Sequence, residues 1–169
     1  WLESHGVSLE GKIAIVRYSV PYSYRGFKAL TAQKRGLAAL LIYSDPAEDG
    51  FVKGDTFPVG PWGPSSHIQR GAITYDFMIA GDPLTLPGAP RIKADDALSV
   101  PKIITVPMSY RDAEPLLRSL GGPEAPKEWQ GALGFTYHVG GGASATVHVK
   151  VDMDNATRSI YVVEGRIRG

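Results

Sequence analysis

Two short β-branched runs separated by one amphipathic stretch constrain this chain more than any other feature. Lys12 to Tyr18 (KIAIVRY) and Ala38 to Tyr43 (AALLIY) are each bounded by Gly or by Ser-Asp-Pro, the pattern of short strands. Between them, Gly26 to Arg35 (GFKALTAQKR) places Phe27, Leu30 and Lys34 on one helical stripe. It carries basic residues near its end, and Gly36 stands as the C-terminal stop. A strand, helix, strand unit with such short connections predicts parallel pairing through a right-handed crossover.

Further along, Lys102 to Val106 (KIITV) lies between Pro101 and Pro107 and reads as a third strand, and Asp112 to Leu120 reads as a short helix closed by Gly121-Gly122. With Asp112 as N-cap, Pro115 falls in the first turn, where its missing N–H costs nothing, and Leu116, Leu117 and Leu120 form the buried stripe. The last third changes character. Ala132 to Val139, Ala145 to Val151 and Ile160 to Ile167 are alternating or β-branched runs and read as antiparallel strands. The expected class is α+β: a mixed sheet or two-layer β structure with flanking short helices, in a single domain.

The 20 Gly and 13 Pro cluster between Asp45 and Pro90 and again between Gly121 and Gly142, so the middle of the chain is made of long loops. Such loops on a rigid scaffold are where binding usually resides. Eighteen basic against 17 acidic residues, with neither sign in a block, lacks the electrostatic footprint of a nucleic-acid binder. No apolar run approaches the roughly 18 to 20 residues that cross a bilayer. The absence of cysteine excludes disulfides and thiolate metal sites. The opening WLESHGVSLEGK shows no basic and then apolar leader pattern.

Catalytic patterns are missing. His5, His67, His138 and His148 have no second ligand-type residue at zinc-site spacing, and His138 and His148 read as solvated histidines on neighbouring strands. There is no Gly-x-Ser-x-Gly elbow, and Ser44 and Ser65 lie in Pro- and Asp-rich turns where serines cap backbone. Gly140-Gly141-Gly142 has neither a following helix nor a Lys-Ser/Thr pair and reads as a hairpin connection. Glu48/Asp49 and Asp95/Asp96 are adjacent loop carboxylates, expected to point apart into solvent. Asn155-Ala156-Thr157 fits a glycosylation acceptor.

Arg25 is more informative. It lies in the loop from Ser19 to Gly26, which also carries Tyr22 and Tyr24, and leads into the first helix. Two readings stay open from the residues alone: a solvated surface arginine, or a guanidinium among aromatics whose planar fork clamps a carboxylate with two hydrogen bonds.

Six segments in order carry a resemblance over nearly the whole chain: GKIAIVRY, YRGFKALTAQKRGLAALLIYSDPAEDG, FPVGPWGPSSHIQRG, GDPLTLPGAP, VPMSYRDAEPLLRSLGG and WQGALGFTYHVGGG. Together they resemble the protease-associated, or apical, domain of the glutamate carboxypeptidase II and transferrin receptor family. The resemblance implies a mixed β-sandwich or open-barrel-like fold with flanking short helices and long loops. It implies one domain over 1–169, excised from a longer peptidase whose zinc peptidase domain flanks it on both sides. RSIYVVEGRIRG looks like the strand leading into that domain. No catalytic residue is expected within the chain itself.

In the family this domain lies over the peptidase site, walls the substrate funnel and lends side chains to the pocket. The arginine that contacts an acidic residue of the substrate matches Arg25, with Tyr24 beside it. A second contact, an Asn after Gln-Arg-Gly, is Ala72 here, and a methyl cannot donate the amide's hydrogen bond. The loop before Arg25 is about two residues longer than the family pattern. Some members bind calcium between domains through backbone carbonyls matching Thr85 and Ala89, with Leu86 inserted between them. The resemblance thus implies two zinc ions and calcium in the parent, none of them held by this chain alone. It implies the peptidase domain of the same chain and a peptide substrate as partners, a homodimeric parent, and an extracytoplasmic location. The competing expectation is a protein-binding module of a catalytically inactive, transferrin-receptor-like homologue. A freestanding peptide-capturing domain is a third, and isolated peptide binding would mark it.

Overall fold

The computed structural model describes all residues except 19–22, 80–87, 89–91, 142–144, 155 and 157. Its scaffold is a three-stranded parallel sheet in the order β1 (Ile13–Arg17), β2 (Ala39–Tyr43), β3 (Ile104–Met108). Ile13 pairs with Ala39 and Arg17 with Tyr43; on the other edge of β2, Ala39 pairs with Ile104 and Tyr43 with Met108. The central strand reads ALLIY and is buried throughout, as expected where both faces and both edges are covered. Helix α1 (Arg25–Lys34) makes the crossover from β1 to β2, and α2 (Tyr110–Ser119) follows β3. Three 3-10 turns, at Glu3–His5, Ala94–Asp96 and Lys127–Trp129, punctuate the connections.

Period-2 alternation sorts the sheet into two cores. Leu40 and Ile42, with Ala14 and Val16, pack against Ala29 and Ala32 of α1 and against Tyr75. Tyr43, with Ile15 and Met108, packs against Tyr110, Ala113 and Leu117 of α2 and against Ala125, Leu133 and Tyr137 from the following segment.

Three details differ from the sequence reading. The stripe that α1 buries is Gly26, Ala29 and Ala32, not Phe27, Leu30 and Lys34; Phe27 and Lys34 are exposed. Small residues let the helix backbone approach the sheet, which outweighs the larger apolar side chains elsewhere on its circumference. Gly36, at φ 73°, does supply the left-handed stop. Helix α2 starts earlier than Asp112, because Ser109 is the N-cap: its Oγ accepts from the Asp112 amide at 3.1 Å and donates to Asp112 Oδ2 at 2.5 Å. Pro115 is therefore in the second turn, where its ring removes the amide that would bond the Arg111 carbonyl.

The third difference is the C-terminal third. Among the described residues no strand forms there. Instead 121–125 and 137–140 pair antiparallel through Gly121 N to Gly140 O (2.9 Å), Val139 N to Pro123 O (2.9 Å) and Ala125 N to Tyr137 O (2.9 Å). The runs at 145–151 and 160–167 have no ladder partner among the described residues, and Val163 and Ile167 are 96% and 99% exposed. A β-branched run fits a pleated surface, but a strand needs a neighbour to bond.

A buried polar hub ties the 125–139 segment to the sheet. Asp45, just past β2, is fully buried. Its Oδ1 accepts from the amides of Ala47 and Ala132, both at 2.9 Å, and its Oδ2 from the hydroxyls of Tyr43 (3.1 Å) and Tyr137 (2.5 Å). Four donors satisfy the carboxylate where water cannot. Burial and the neighbouring Asp45 hold the Tyr43 phenol well above the ordinary tyrosine range, and burial with the Asp45 hydrogen bond does the same for Tyr137. Gln130 braces the same segment, its side chain bonding the Tyr137 amide and the carbonyls of Ala125 and Tyr137.

Candidate functional site

The candidate site forms where the loop segment 69–77 crosses the N-terminal turn of α1. Tyr75 pins that segment. It is buried, its amide donates to Ser99 O at 2.9 Å, and its hydroxyl donates to Gln33 Oε1 of α1 at 3.0 Å. Gln33 Oε1 also accepts the Lys102 amide at 2.9 Å. A buried tyrosine whose backbone amide and hydroxyl are both bonded leaves the segment little freedom to shift along the helix.

Arg25 is the first residue of α1, with Tyr24 as its N-cap. Its guanidinium is half-buried rather than solvated. Nη2 donates to Gln69 Oε1 at 3.1 Å, and Cζ lies 5.4 Å from the Tyr18 ring centroid, within cation–π range. Tyr18 is itself fixed by its hydroxyl, which donates to Gln69 O at 3.3 Å. On the other side the group rests on Gly71, where a Cβ would collide with Nη1 and lie 2.7 Å from Cζ. The Nε–H is buried without a hydrogen-bond partner. None of the ion pairs among the described residues includes Arg25. A half-buried guanidinium held by one neutral amide and one aromatic face, with no counter-ion among the described residues, keeps hydrogen-bonding capacity for an acceptor.

Tyr24 stands beside it. Its hydroxyl is 3.1 Å from Thr74 Oγ1, and its ring meets Phe27 and Phe77 edge-on, with centroids 6.1 and 6.2 Å away. Gly26 makes that crossing possible: a Cβ there would strike the Thr74 carbonyl and lie 2.7 Å from Tyr24 Cε1. Ala72 is exposed on the same segment and presents only a methyl. Structure and sequence thus bring Tyr24, Arg25 and Ala72 to one crossing. Thr85, Ala89 and the loop residues Ser19 to Tyr22 lie outside the described residues, as do Asn155 and Thr157 of the glycosylation pattern.

Sequence reasoning missed Gln69, Gly71 and Tyr18, the three residues that position Arg25. The Gln-Arg-Gly triplet was the available signal, since a glycine needed for close approach and an amide beside it suit the seating of a guanidinium.

The other candidates are structural. Glu48 and Asp49 do point apart but are partly buried, each with a protein partner. Glu48 Oε1 lies 3.7 Å from Arg17 Nη2, and its Oε2 is buried and unpartnered; burial, only partly offset by Arg17, pushes its carboxyl above the usual carboxylate range. Asp49 accepts from the Gly63 amide at 2.8 Å and pairs with His67 at 3.4 Å. Arg17 also donates to the carbonyls of Gln130 (2.7 Å) and Glu128 (3.0 Å); burial, with the Arg17 charge added to it, holds the Lys28 ammonium below the ordinary lysine pKa. Ser44 Oγ is buried without a partner instead of capping backbone. His138 Nδ1 lies 3.0 Å from Gly122 O. Among the described residues no three His, Asp or Glu side chains come together to hold a metal ion, and no helix is long and apolar enough to cross a membrane.

The fold is a parallel sheet with a helix on each face and long loops, and residues 3–75 match the PA domain family model. The relatives narrow this further. The chain is 34% identical over 187 residues to aminopeptidase NAALADL1 of Rattus norvegicus, covering 98% of this chain and 24% of that protein. It is 32% identical over 186 residues to the glutamate carboxypeptidase 2 homolog of Caenorhabditis briggsae, covering 99% and 23%. It is 35% identical over 147 residues to transferrin receptor protein 2 of Homo sapiens, covering 83% and 17%. The chain is a PA domain and belongs to the glutamate carboxypeptidase and transferrin receptor family. It spans about a quarter of the length of the curated peptidase relatives it matches.

Proposed function

We propose that this chain is the non-catalytic, substrate-facing domain of a zinc-dependent exopeptidase of the glutamate carboxypeptidase type, and that Arg25 holds a carboxylate of the peptide. One observation carries the reading: Arg25 is a half-buried guanidinium, seated by Gln69, Tyr18 and Gly71, with no anionic partner among the described residues. A carboxylate would supply the missing charge and offer an acceptor to the guanidinium fork, orienting a peptide for a reaction performed elsewhere. Ala72 narrows what that contact can do, because recognition there lacks an amide donor.

In this reading the zinc peptidase domain of the same chain flanks residues 1–169 on both sides and holds both zinc ions, while the PA domain covers the site. The relatives named as peptidases, several times longer than this chain, support that arrangement. Calcium between the domains, through the carbonyls of Thr85 and Ala89, belongs to the same reading, as do a homodimeric parent and a location outside the cytoplasm; these rest on the resemblance alone.

The similarity to transferrin receptor protein 2 favours a second reading, a protein-binding module in a homologue without turnover. The two separate in one assay of the full-length parent on free and N-acylated dipeptides, before and after chelation and after zinc is restored. Hydrolysis lost on chelation and regained with zinc is the expected result. A well-folded parent with no turnover under any of these conditions overturns the peptidase reading in favour of the receptor-like one.

A further inference from the structure

We propose that Tyr24, Phe27 and Phe77 form an apolar shelf for the side chain of the peptide residue whose carboxylate Arg25 holds, so that aromatic and aliphatic residues are favoured there over acidic ones. This rests on the reading of Arg25 as the carboxylate contact.

Phe27 and Phe77 stack at 4.0 Å with their planes 21° apart, and Tyr24 stands edge-on to both, at 83° and 87°. The three rings order one another, yet they remain 36%, 47% and 39% exposed for Tyr24, Phe27 and Phe77. A preassembled aromatic surface open to water gains free energy from any apolar group laid on it and loses little conformational freedom in doing so.

Shelf and cation form one unit. The segment 69–77 touches Arg25 at Gln69 and Gly71, Tyr24 at Thr74 and Phe27 at Phe77, and Tyr75 locks it to α1. The shared segment fixes the cation and the rings relative to each other. The pair is complementary to a group that is anionic at one end and apolar at the other, which is a peptide residue with an apolar side chain and a free carboxylate.

At position 72 a donor for an acidic side chain is missing, because Ala72 offers only a methyl. Gln69 and Gly71 both contact Arg25, and Arg70 between them is exposed.

The test is kcat/KM of the full-length parent on the free and N-acetylated forms of Ala-Phe, Ala-Leu and Ala-Glu, for wild type, Phe27→Ala, Phe27→Leu, Phe77→Ala and Arg25→Lys, with Tm recorded for each. Wild type should prefer Ala-Phe to Ala-Glu by about tenfold; Phe27→Ala and Phe77→Ala should each cost Ala-Phe about fivefold, in KM, and leave Ala-Glu within about twofold. Phe27→Leu should recover Ala-Leu turnover. A preference for Ala-Glu, or ring variants without effect, overturns the shelf. So does an equal loss on all substrates with a lowered Tm, which would mean that the rest of the parent covers the rings. Arg25→Lys separates the two levels: a loss on every substrate keeps the carboxylate contact even where the shelf fails, whereas no loss removes that contact. No turnover at all removes both.

Discussion

The Tyr137 hydroxyl donates to Asp45 Oδ2 at 2.5 Å, joining residues 92 positions apart in a site that excludes solvent. That bond and the Ala132 amide on Oδ1 fasten the 125–139 segment to the end of β2. Asp45→Asn places an amide opposite a hydroxyl donor and should lower stability by about 2–4 kcal/mol; Tyr137→Phe keeps the ring, removes one donor, and should cost about 1–3 kcal/mol. Urea unfolding of each variant checks the order, and the two losses should be less than additive because both variants break the same bond.

The phenols at this hub give a second prediction. Both Tyr43 and Tyr137 titrate above the ordinary tyrosine value in the folded protein. The folded state then binds more protons than the unfolded state above the unfolded phenol pKa, so this contribution is complete below about pH 10 and is lost as pH rises beyond it. Tyrosinate absorbance should show the two phenols ionising only with alkaline unfolding. A normal titration of all eight tyrosines in the folded state would contradict the burial argument.

Glu48 works in the same direction at acid pH. Its carboxyl is raised by burial, with Arg17 too distant at 3.7 Å to reverse the effect. The folded state binds the extra proton, so the contribution is present below the unfolded glutamate pKa and is lost as pH rises through the folded one. Glu48→Gln should therefore raise Tm by about 1–3 °C at neutral pH, with the gain vanishing below the unfolded pKa. Melting curves across pH 3 to 8 decide it, and a lower Tm at neutral pH would mean that the Arg17 pair outweighs desolvation.

Gly71→Ala separates function from fold. The added methyl would meet the guanidinium of Arg25, the far end of a flexible side chain, not backbone. Tm should stay within about 2 °C of wild type while kcat/KM of the parent falls by about tenfold as Arg25 is displaced. A large loss of stability would show that Gly71 serves the fold instead.

The scaffold was legible because its strands are short apolar runs closed by Gly, Pro or Ser-Asp-Pro, and because Gly36 supplies the left-handed stop of α1; the start of α2 was not, since Ser109 and not Asp112 caps it. The C-terminal runs were not, because Val162 and Val163 have strand character without a ladder partner among the described residues, and pairing is not written in a run by itself. Phe27 shows the same gap on a helix: apolar spacing suggested a buried stripe, but the sheet took the small face at Gly26, Ala29 and Ala32. At the site, Arg25 stood out through its position before the helix. Its seating depends on Gln69, 44 residues away, and on the absence of a Cβ at Gly71. Contacts of that span follow from the path of a loop, which local patterns do not set.

The most direct test of the central claim is the hydrolysis of free and N-acylated dipeptides by the full-length parent and its Arg25→Ala form, with Arg25→Lys as the charge-retaining control. Removal of a charge-assisted contact to a carboxylate should lower kcat/KM by about tenfold to a hundredfold, mainly through KM, with Arg25→Lys intermediate because it loses the fork but keeps the charge. Kinetics unchanged from wild type in both variants, on substrates that the parent cleaves, would contradict it and leave this domain a passive wall.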